Sequence, residues 1–335
     1  MAQQIGIDLG TSNIRFFIPK RGIVIDEPNV VALSTASQKV ISVGEEAKLM
    51  LGRTPDSIIA CYPLTGGVIA SYKTTKQMLS IYLGKLLGKV RLFKPDILIN
   101  VPVGATSTER KAVFDAAESV GARNVYLVKS PLAAAIGAGI DIVSSSGNML
   151  IDIGGGKTEV VVISLGDIVC SSSVRYGGEK IDEAVISYIR KKHNLVVGAQ
   201  TAEKIKKSIG SAMTAKSDAK EEISGSNTIS GLPESIMVSS SDIVAAIKPV
   251  LNEIILSVKQ VLQKTPPELS SDVMDKGILM SGGGAKLNKF DDLLTKISGV
   301  PCQVAEEPDL CTIKGIGIIL ENFENFSDSL IWKNK

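Results

Sequence analysis

Two short segments of this chain repeat one pattern, and the repeat constrains the fold more than any other feature. Residues 5–13 read IGIDLGTSN and residues 150–159 read LIDIGGGKTE. In each, a predicted strand delivers an aspartate, Asp8 or Asp152, and then a turn of small residues. Glycine lets backbone N–H groups approach an anion closely, so such turns form concave nests for phosphate. The repeat predicts a duplicated domain with a polyphosphate and Mg²⁺ between its halves.

Strands and helices alternate along both halves. The apolar run 97–101, which ends at Pro102, is typical of a strand buried on both faces. The stretch 108–120 has the apolar spacing of an amphipathic helix. We therefore predict α/β halves on mixed sheets, with the ligand at the strand ends. Residues 213–230 are polar and rich in Ser and Lys, and we expect them to form a mobile excursion.

Composition excludes several classes of function. The 335 residues contain 37 Lys and Arg against 35 Asp and Glu, a net charge of +2 without a dense basic block, so no nucleic-acid partner is expected. The four cysteines are far apart, which disfavours zinc and a disulfide framework. No signal-peptide pattern and no run of ~18 apolar residues occur. We expect a cytoplasmic protein.

A third glycine turn, residues 281–284 (SGGG), completes a set that resembles the bacterial actin MreB family from end to end. Phrases outside the turns carry the resemblance further, and they occur in the family's order. They are DEPNVVA (26–32), MLGRTP (50–55), GVIA (67–70), AAAIG (133–137) and TPPEL (265–269).

The resemblance implies the actin-like ATPase fold, in which duplicated RNase H-like domains form four subdomains around a nucleotide cleft. Domain I would span residues 1–145, with a small subdomain at about 30–72. Domain II would span residues 146–311, with a small subdomain at about 181–240. A C-terminal helix within 312–335 would return to domain I.

The resemblance also implies ATP or ADP with Mg²⁺ as ligands and assigns the residues around them. Mg²⁺ would be held through water by Asp8 and Asp152, because the small ion keeps most of its hydration shell. The β- and γ-phosphates would be gripped by Gly10, Thr11, Ser12, Asn13, Gly154, Gly155, Gly156 and Lys157. The adenosine would contact Gly282, Gly283, Gly284, Glu203, Lys206 and Lys207. From spacing alone, Glu203 and Lys206 would equally form an exposed helical ion pair.

Two residues depart from the family pattern at the catalytic positions. Relatives carry acidic residues just before the proline of the AAAIG helix, whereas this chain has Lys129 and Ser130. Serine is unable to act as the base for the attacking water. The threonine that usually follows the second glycine turn is Lys157 here, and its ammonium would reach the phosphates or displace the metal. We predict nucleotide binding with weak or absent hydrolysis.

The alternative, that this site does hydrolyse the nucleotide, stays open. Ser130 would still hold the water if a second residue assisted it, and Lys157 would then stabilise the charge of the transition state. The two departures together are typical of a specialised paralogue, and MreB paralogues of wall-less helical bacteria resemble this chain.

The resemblance implies a protein that polymerises with copies of itself and with paralogous bacterial actins, supporting cell shape or motility. It also implies contact with the inner face of the cell membrane through Leu92 and Phe93, which lie among cations. The alternative for these two side chains is to cap the domain core.

Two enzyme classes remain as alternatives. An actin-superfamily kinase would need a carboxylate base facing a second substrate, and no such motif is evident. An Hsp70-like ATPase would need a β-rich domain after the nucleotide domain, and we expect none within these residues.

Overall fold

The computed structural model describes residues 3–88, 94–214, 218–326 and 329–331. Its first half runs through β1 (Gln4–Leu9), β2 (Asn13–Ile18), β3 (Gly22–Pro28), β4 (Val31–Ser34), β5 (Val40–Val43), α1 (Glu45–Met50), β6 (Ile58–Cys61), β7 (Leu64–Thr65), β8 (Val68–Ile69), α2 (Tyr72–Leu87), β9 (Asp96–Val101), α3 (Ser107–Ser119), β10 (Asn124–Lys129) and α4 (Ser130–Gly137).

The second half follows with the same alternation of strands and helices. It comprises β11 (Asn148–Ile153), β12 (Thr158–Ser164), β13 (Asp167–Val174), α5 (Gly178–His193), β14 (Leu195–Val196), α6 (Ala199–Ile209), β15 (Lys220–Asn227), β16 (Pro233–Ser239), α7 (Ser240–Lys264), α8 (Pro267–Lys276), β17 (Ile278–Ser281), α9 (Phe290–Ser298), β18 (Cys302–Val304), α10 (Cys311–Glu321) and α11 (Phe323–Phe326).

The two halves are built on sheets of identical topology. The first has the strand order β3-β2-β1-β9-β10 and the second β13-β12-β11-β17-β18. In both, the first two pairings are antiparallel and the last two are parallel. β1 and β11 are therefore equivalent central strands, and the predicted mixed α/β fold is confirmed.

Local sequence explains why these elements form. Every residue of β12 is buried, and its run of valines is typical of a strand covered on both faces. Helix α3 begins at a capping box, in which Thr106 and Glu109 satisfy each other's backbone N–H groups.

A small sheet lies beyond each large one. Strands β5-β4-β6 pack with α1 in the first half, and β14-β15-β16 pack with α5, α6 and α7 in the second. The expectation of a mobile excursion over 213–230 is wrong for residues 220–227, which form β15 and pair with β16. Lys220, Ser224 and Ser226 are exposed on a strand that buries Ile223. The polar composition of the segment therefore concealed its alternation of exposed and buried residues.

Helix α10 follows the second half in the chain and packs against the first half. It packs on α4 and on β1, and the backbones of α4 and α10 touch at Gly137 and Gly315. A Cβ at Gly137 would lie 1.8 Å from the carbonyl oxygen of Cys311. Because α10 packs against the first half, we propose that domain I comprises residues 1–145 together with the C-terminal helix within 312–335, and domain II residues 146–311, as the sequence predicts. Within the described residues, no helix combines the length and apolar character needed to cross a membrane.

Candidate functional site

A cavity of about 1220 Å³ lies between the two halves, where β1 and β11 end. It brings together the predicted phosphate, nucleoside, metal and catalytic residues. These are Asp8, Gly10, Thr11, Ser12, Asn13, Ser130, Asp152, Gly154, Gly155, Gly156, Lys157, Glu203, Lys206, Lys207, Gly282, Gly283 and Gly284. The predicted membrane residues Leu92 and Phe93 lie outside the described residues.

The first two glycine turns have the same internal geometry. The N–H of Gly10 donates to the carbonyl of Asn13 at 3.1 Å, and the N–H of Gly154 donates to the carbonyl of Lys157 at 2.9 Å. Each turn joins the central strand of its sheet to the next antiparallel strand. The two turns are therefore copies in structure as well as in sequence.

The two turns meet at the wall of the cavity. A Cβ at Gly155 would lie 1.8 Å from the Ser12 hydroxyl oxygen, and one at Gly156 would lie 2.6 Å from the Thr11 hydroxyl oxygen. At Gly156 an added Cβ would also lie 2.9 Å from the backbone nitrogen of Gly66, so close approach of the backbone requires glycine there. The Thr11 hydroxyl also accepts the N–H of Gly67 at 2.9 Å, which ties the β7–β8 turn to the same place.

The third glycine turn packs beneath the second. Gly282 has a φ of +81°, a conformation that favours glycine. Its N–H donates to the carbonyl of Pro308 at 2.7 Å, and a Cβ there would lie 2.3 Å from the carbonyl oxygen of Ile153. The third turn is thereby fixed against the end of β11.

Asp8 and Asp152 lie at the floor of the cavity. One oxygen of Asp8 accepts from the Asn100 amide at 2.9 Å, and one oxygen of Asp152 accepts from the Ser281 hydroxyl at 3.1 Å. Burial raises the pKa of Asp8, and the nearby Arg15 opposes this. Burial raises the pKa of Asp152 to about 6, a shift that Lys157 opposes. Both carboxyls are thus poised to be stabilised by added positive charge.

Ser130 and Lys157, the two residues predicted to depart from the family at catalytic positions, contact each other. The Ser130 hydroxyl accepts from the Lys157 ammonium at 3.4 Å and from the Asn100 amide at 3.2 Å. The same ammonium forms an ion pair with Glu159, whose other oxygen accepts the N–H of Val103 at 2.6 Å. Ser130 and Val103 belong to the first half, so this polar cluster links the halves.

Sequence reasoning missed several of these residues. Arg15 lies 3.5 Å from Asp8 and 2.8 Å from Asp26. A signal was available for Arg15 and Glu159, because each follows the aspartate of its repeat by seven positions. Asn100 was visible too, as a lone polar residue in the apolar run of β9.

The residues predicted to contact the nucleoside do not form the simple ion pair of Glu203 with Lys206 that their spacing allows. Lys206 contacts Asp182 at 2.8 Å, whereas Glu203 contacts Lys207 at 2.6 Å and Lys48 of the first half at 3.2 Å. Gln200 also crosses the cleft, donating to the carbonyls of residues 48 and 51. These contacts join α6 to α1 over the mouth of the cavity.

Two like α/β halves with matched glycine turns beside one cavity define an actin-like protein, and solved structures agree with this class. The chain aligns with the crystal structure of MreB5 of Spiroplasma citri bound to ADP with a TM-score of 0.93, at 33% identity over 98% of this chain and 99% of that one. A MamK double helical filament aligns with a TM-score of 0.80 at 20% identity, over 96% and 99% of the two chains, and supports the fold alone.

The chain belongs to the MreB/Mbl family, whose model matches residues 2–328. The cell shape-determining protein Mbl of Bacillus subtilis (strain 168) is 45% identical over 323 residues, which is 96% of this chain and 97% of that protein. The cell shape-determining protein MreB of Escherichia coli (strain K12) is 42% identical over 325 residues, 96% and 94% of the two. The resemblance that the sequence phrases carried is confirmed.

Proposed function

We propose that this chain is a cytoskeletal protein that binds ATP or ADP between its halves and polymerises into filaments supporting cell shape or motility. The observation that carries the proposal is the pair of matched turns facing each other above Asp8 and Asp152. Two opposed nests of backbone N–H groups suit a polyphosphate. The related MreB5 of Spiroplasma citri was solved with ADP and with AMPPNP, which supports nucleotide as the ligand.

The floor of the cavity fits a hydrated Mg²⁺ carried with the nucleotide. Asp8 and Asp152 supply oxygen donors, and burial disfavours their charged forms until a cation is near. Mg²⁺ keeps most of its hydration shell in proteins, so the two carboxylates would hold it through water. The ion would shield phosphate charge, and the two aspartates would orient its waters.

Hydrolysis in this site is expected to be slow. Ser130 is buried at the start of α4, and its hydroxyl accepts from Asn100 and Lys157. A serine hydroxyl in this arrangement does not take a proton from water, and loss of a positioned base costs ~10²- to 10⁴-fold in rate. We infer that assembly and nucleotide binding are separate from rapid hydrolysis in this chain.

Self-association is proposed from membership of the family, and paralogous bacterial actins are proposed as further partners. Membrane contact through Leu92 and Phe93 stays a prediction. The kinase and Hsp70-like alternatives are not favoured, because the curated relatives reported above are cell shape-determining proteins along nearly their whole length.

The test is phosphate release with Mg-ATP, run beside sedimentation of the same sample. We expect polymer in the pellet with phosphate release near background. The variant Ser130→Glu/Lys157→Thr is expected to release phosphate at least ~10²-fold faster, because a carboxylate returns to the position of the base. Brisk release by the unmodified protein would refute the assignment of Ser130, and absence of both nucleotide binding and polymer would refute the proposed function.

A further inference from the structure

Glu159 is a buried carboxylate whose role the proposed function does not explain. Its side chain is fully buried, and it lies directly opposite Asp152 in the β11–β12 pairing. An isolated carboxylate in such a place is strongly disfavoured, so its partners decide its role. Those partners are the N–H of Val103, at 2.6 Å, and the ammonium of Lys157.

Lys157 stands between Glu159 and the cavity. Lys157 is one of the residues that line the cavity, whereas Glu159 is behind it. The stem of Lys157 packs against Gly67, where a Cβ would lie 2.6 Å from the lysine Cδ. The stem is thus confined by the β7–β8 turn, and the head is held from behind by Glu159.

The ammonium retains a donor for a ligand. A lysine carries three N–H donors, and two of them meet Glu159 and Ser130. Within the described part of the chain, no other acceptor contacts the third. An ammonium fixed beside two phosphate-binding turns is suited to a phosphate oxygen, to which it forms a strong charge-assisted hydrogen bond.

We propose that Glu159 is a positioning residue, which holds the Lys157 ammonium at the floor of the cleft as the group that recognises the terminal phosphate of a nucleoside triphosphate. The inference rests on the proposed function and deepens it, because it assigns the preference for triphosphate over diphosphate to one ion pair. Glu159 itself does not touch the nucleotide. It acts through Lys157, which needs a fixed direction to tell the two ligands apart.

The experiment compares ATP and ADP affinities, measured by isothermal titration calorimetry with Mg²⁺ present. Lys157→Met removes the ammonium. Glu159→Gln keeps the shape of the side chain and an oxygen for Val103 but removes the charge that anchors Lys157. Each is expected to lower the ratio of ATP to ADP affinity by about tenfold or more. The double variant is expected to match Lys157→Met, since Glu159 acts only through the lysine.

Two controls separate positioning from general damage. Lys204 is exposed, pairs with Glu221 at 2.9 Å and is outside the cavity lining, so Lys204→Met should leave the ratio unchanged. Lys157→Arg keeps a cation beside Glu159 and should hold the ratio within about threefold of the unmodified protein. A merely structural role of Glu159 would weaken ATP and ADP binding equally.

The outcomes are distinguishable. An unchanged ratio of ATP to ADP affinity in Glu159→Gln would overturn this inference, and so would a ratio lowered tenfold in Lys157→Arg. Neither result would contradict the proposed function. Failure of the unmodified protein to bind either nucleotide would overturn the proposed function and the inference with it.

Discussion

Arg15 and Glu159 occupy equivalent positions in the two halves, each directly opposite the buried aspartate of its own hairpin. In the first half the guanidinium of Arg15 lies 3.5 Å from Asp8. In the second half Glu159 faces Asp152, and the compensating cation is Lys157. The duplication therefore keeps the backbone geometry while the residue opposite the aspartate changes from a cation to an anion.

Arg15→Met should destabilise the nucleotide-free protein, because it leaves Asp8 buried without its neighbouring cation. Removing one partner of a buried pair costs about 3 to 5 kcal/mol. We expect about 2 to 4 kcal/mol here, since Arg15 also pairs with the partly exposed Asp26. The free energy of unfolding in urea measures this. The double variant Asp8→Asn/Arg15→Met should recover at least half of the loss, and a single variant of unchanged stability would contradict the pairing.

Asp152 should make the stability of the nucleotide-free protein depend on pH. Its pKa is raised by burial to about 6 from an ordinary 3.8. A raised pKa means that the folded state binds the proton more tightly than the unfolded state does. The stabilisation that this proton gives is therefore full below pH ~4 and is lost as pH rises through ~6. Asp152→Asn should be less sensitive than the unmodified protein across this window, by on the order of 2 to 3 kcal/mol. The free energy of unfolding is measured at pH 4 and at pH 7 for both proteins. An equal change between the two pH values in both proteins would contradict this role of Asp152.

Gly137→Ala should strongly destabilise the fold at the junction of α4 and α10. The added Cβ would lie 1.8 Å from the Cys311 carbonyl oxygen, so the helices must separate. We expect a loss of about 2 to 4 kcal/mol in the free energy of unfolding. Gly84→Ala is the matched control, because Gly84 lies inside α2 with open space at its Cβ. That change should stabilise the protein by about 0.5 to 1 kcal/mol, and equal effects of the two would disprove the packing argument.

The contacts between α1 and α6 should slow nucleotide release. Gln200 donates to the carbonyl of Lys48 at 2.8 Å, and Lys48 pairs with Glu203 at 3.2 Å across the mouth of the cavity. The double variant Lys48→Met/Gln200→Ala should release a fluorescent ADP analogue about 5- to 10-fold faster in stopped flow, as expected for ~1 kcal/mol of lost contacts. Lys204→Met, on α6 but paired with Glu221, serves as control. Equal release rates in the unmodified protein, the double variant and Lys204→Met would show that the contacts between α1 and α6 do not slow nucleotide release.

Much of the fold was predictable because its strands, turns and helices follow from patterns among neighbouring residues. The hairpins after Asp8 and Asp152 follow from an apolar run, a small-residue turn and a second apolar run. Strand β15 was not predictable in this way, since it buries little more than Ile223 and its pairing with β16 supplies the missing stabilisation. Pairing of that kind depends on a partner strand and not on composition.

The sequence by itself determined the family and the duplicated glycine turns, because each is a matter of residue type at a fixed spacing. Only the tertiary structure decided how Lys157 is held. Its partners Glu159 and Ser130 lie two and 27 positions away, and the Val103 N–H that completes the cluster comes from the other half. The contacts with Ser130 and Val103 form only when the two halves pack against each other, and no local pattern encodes that packing.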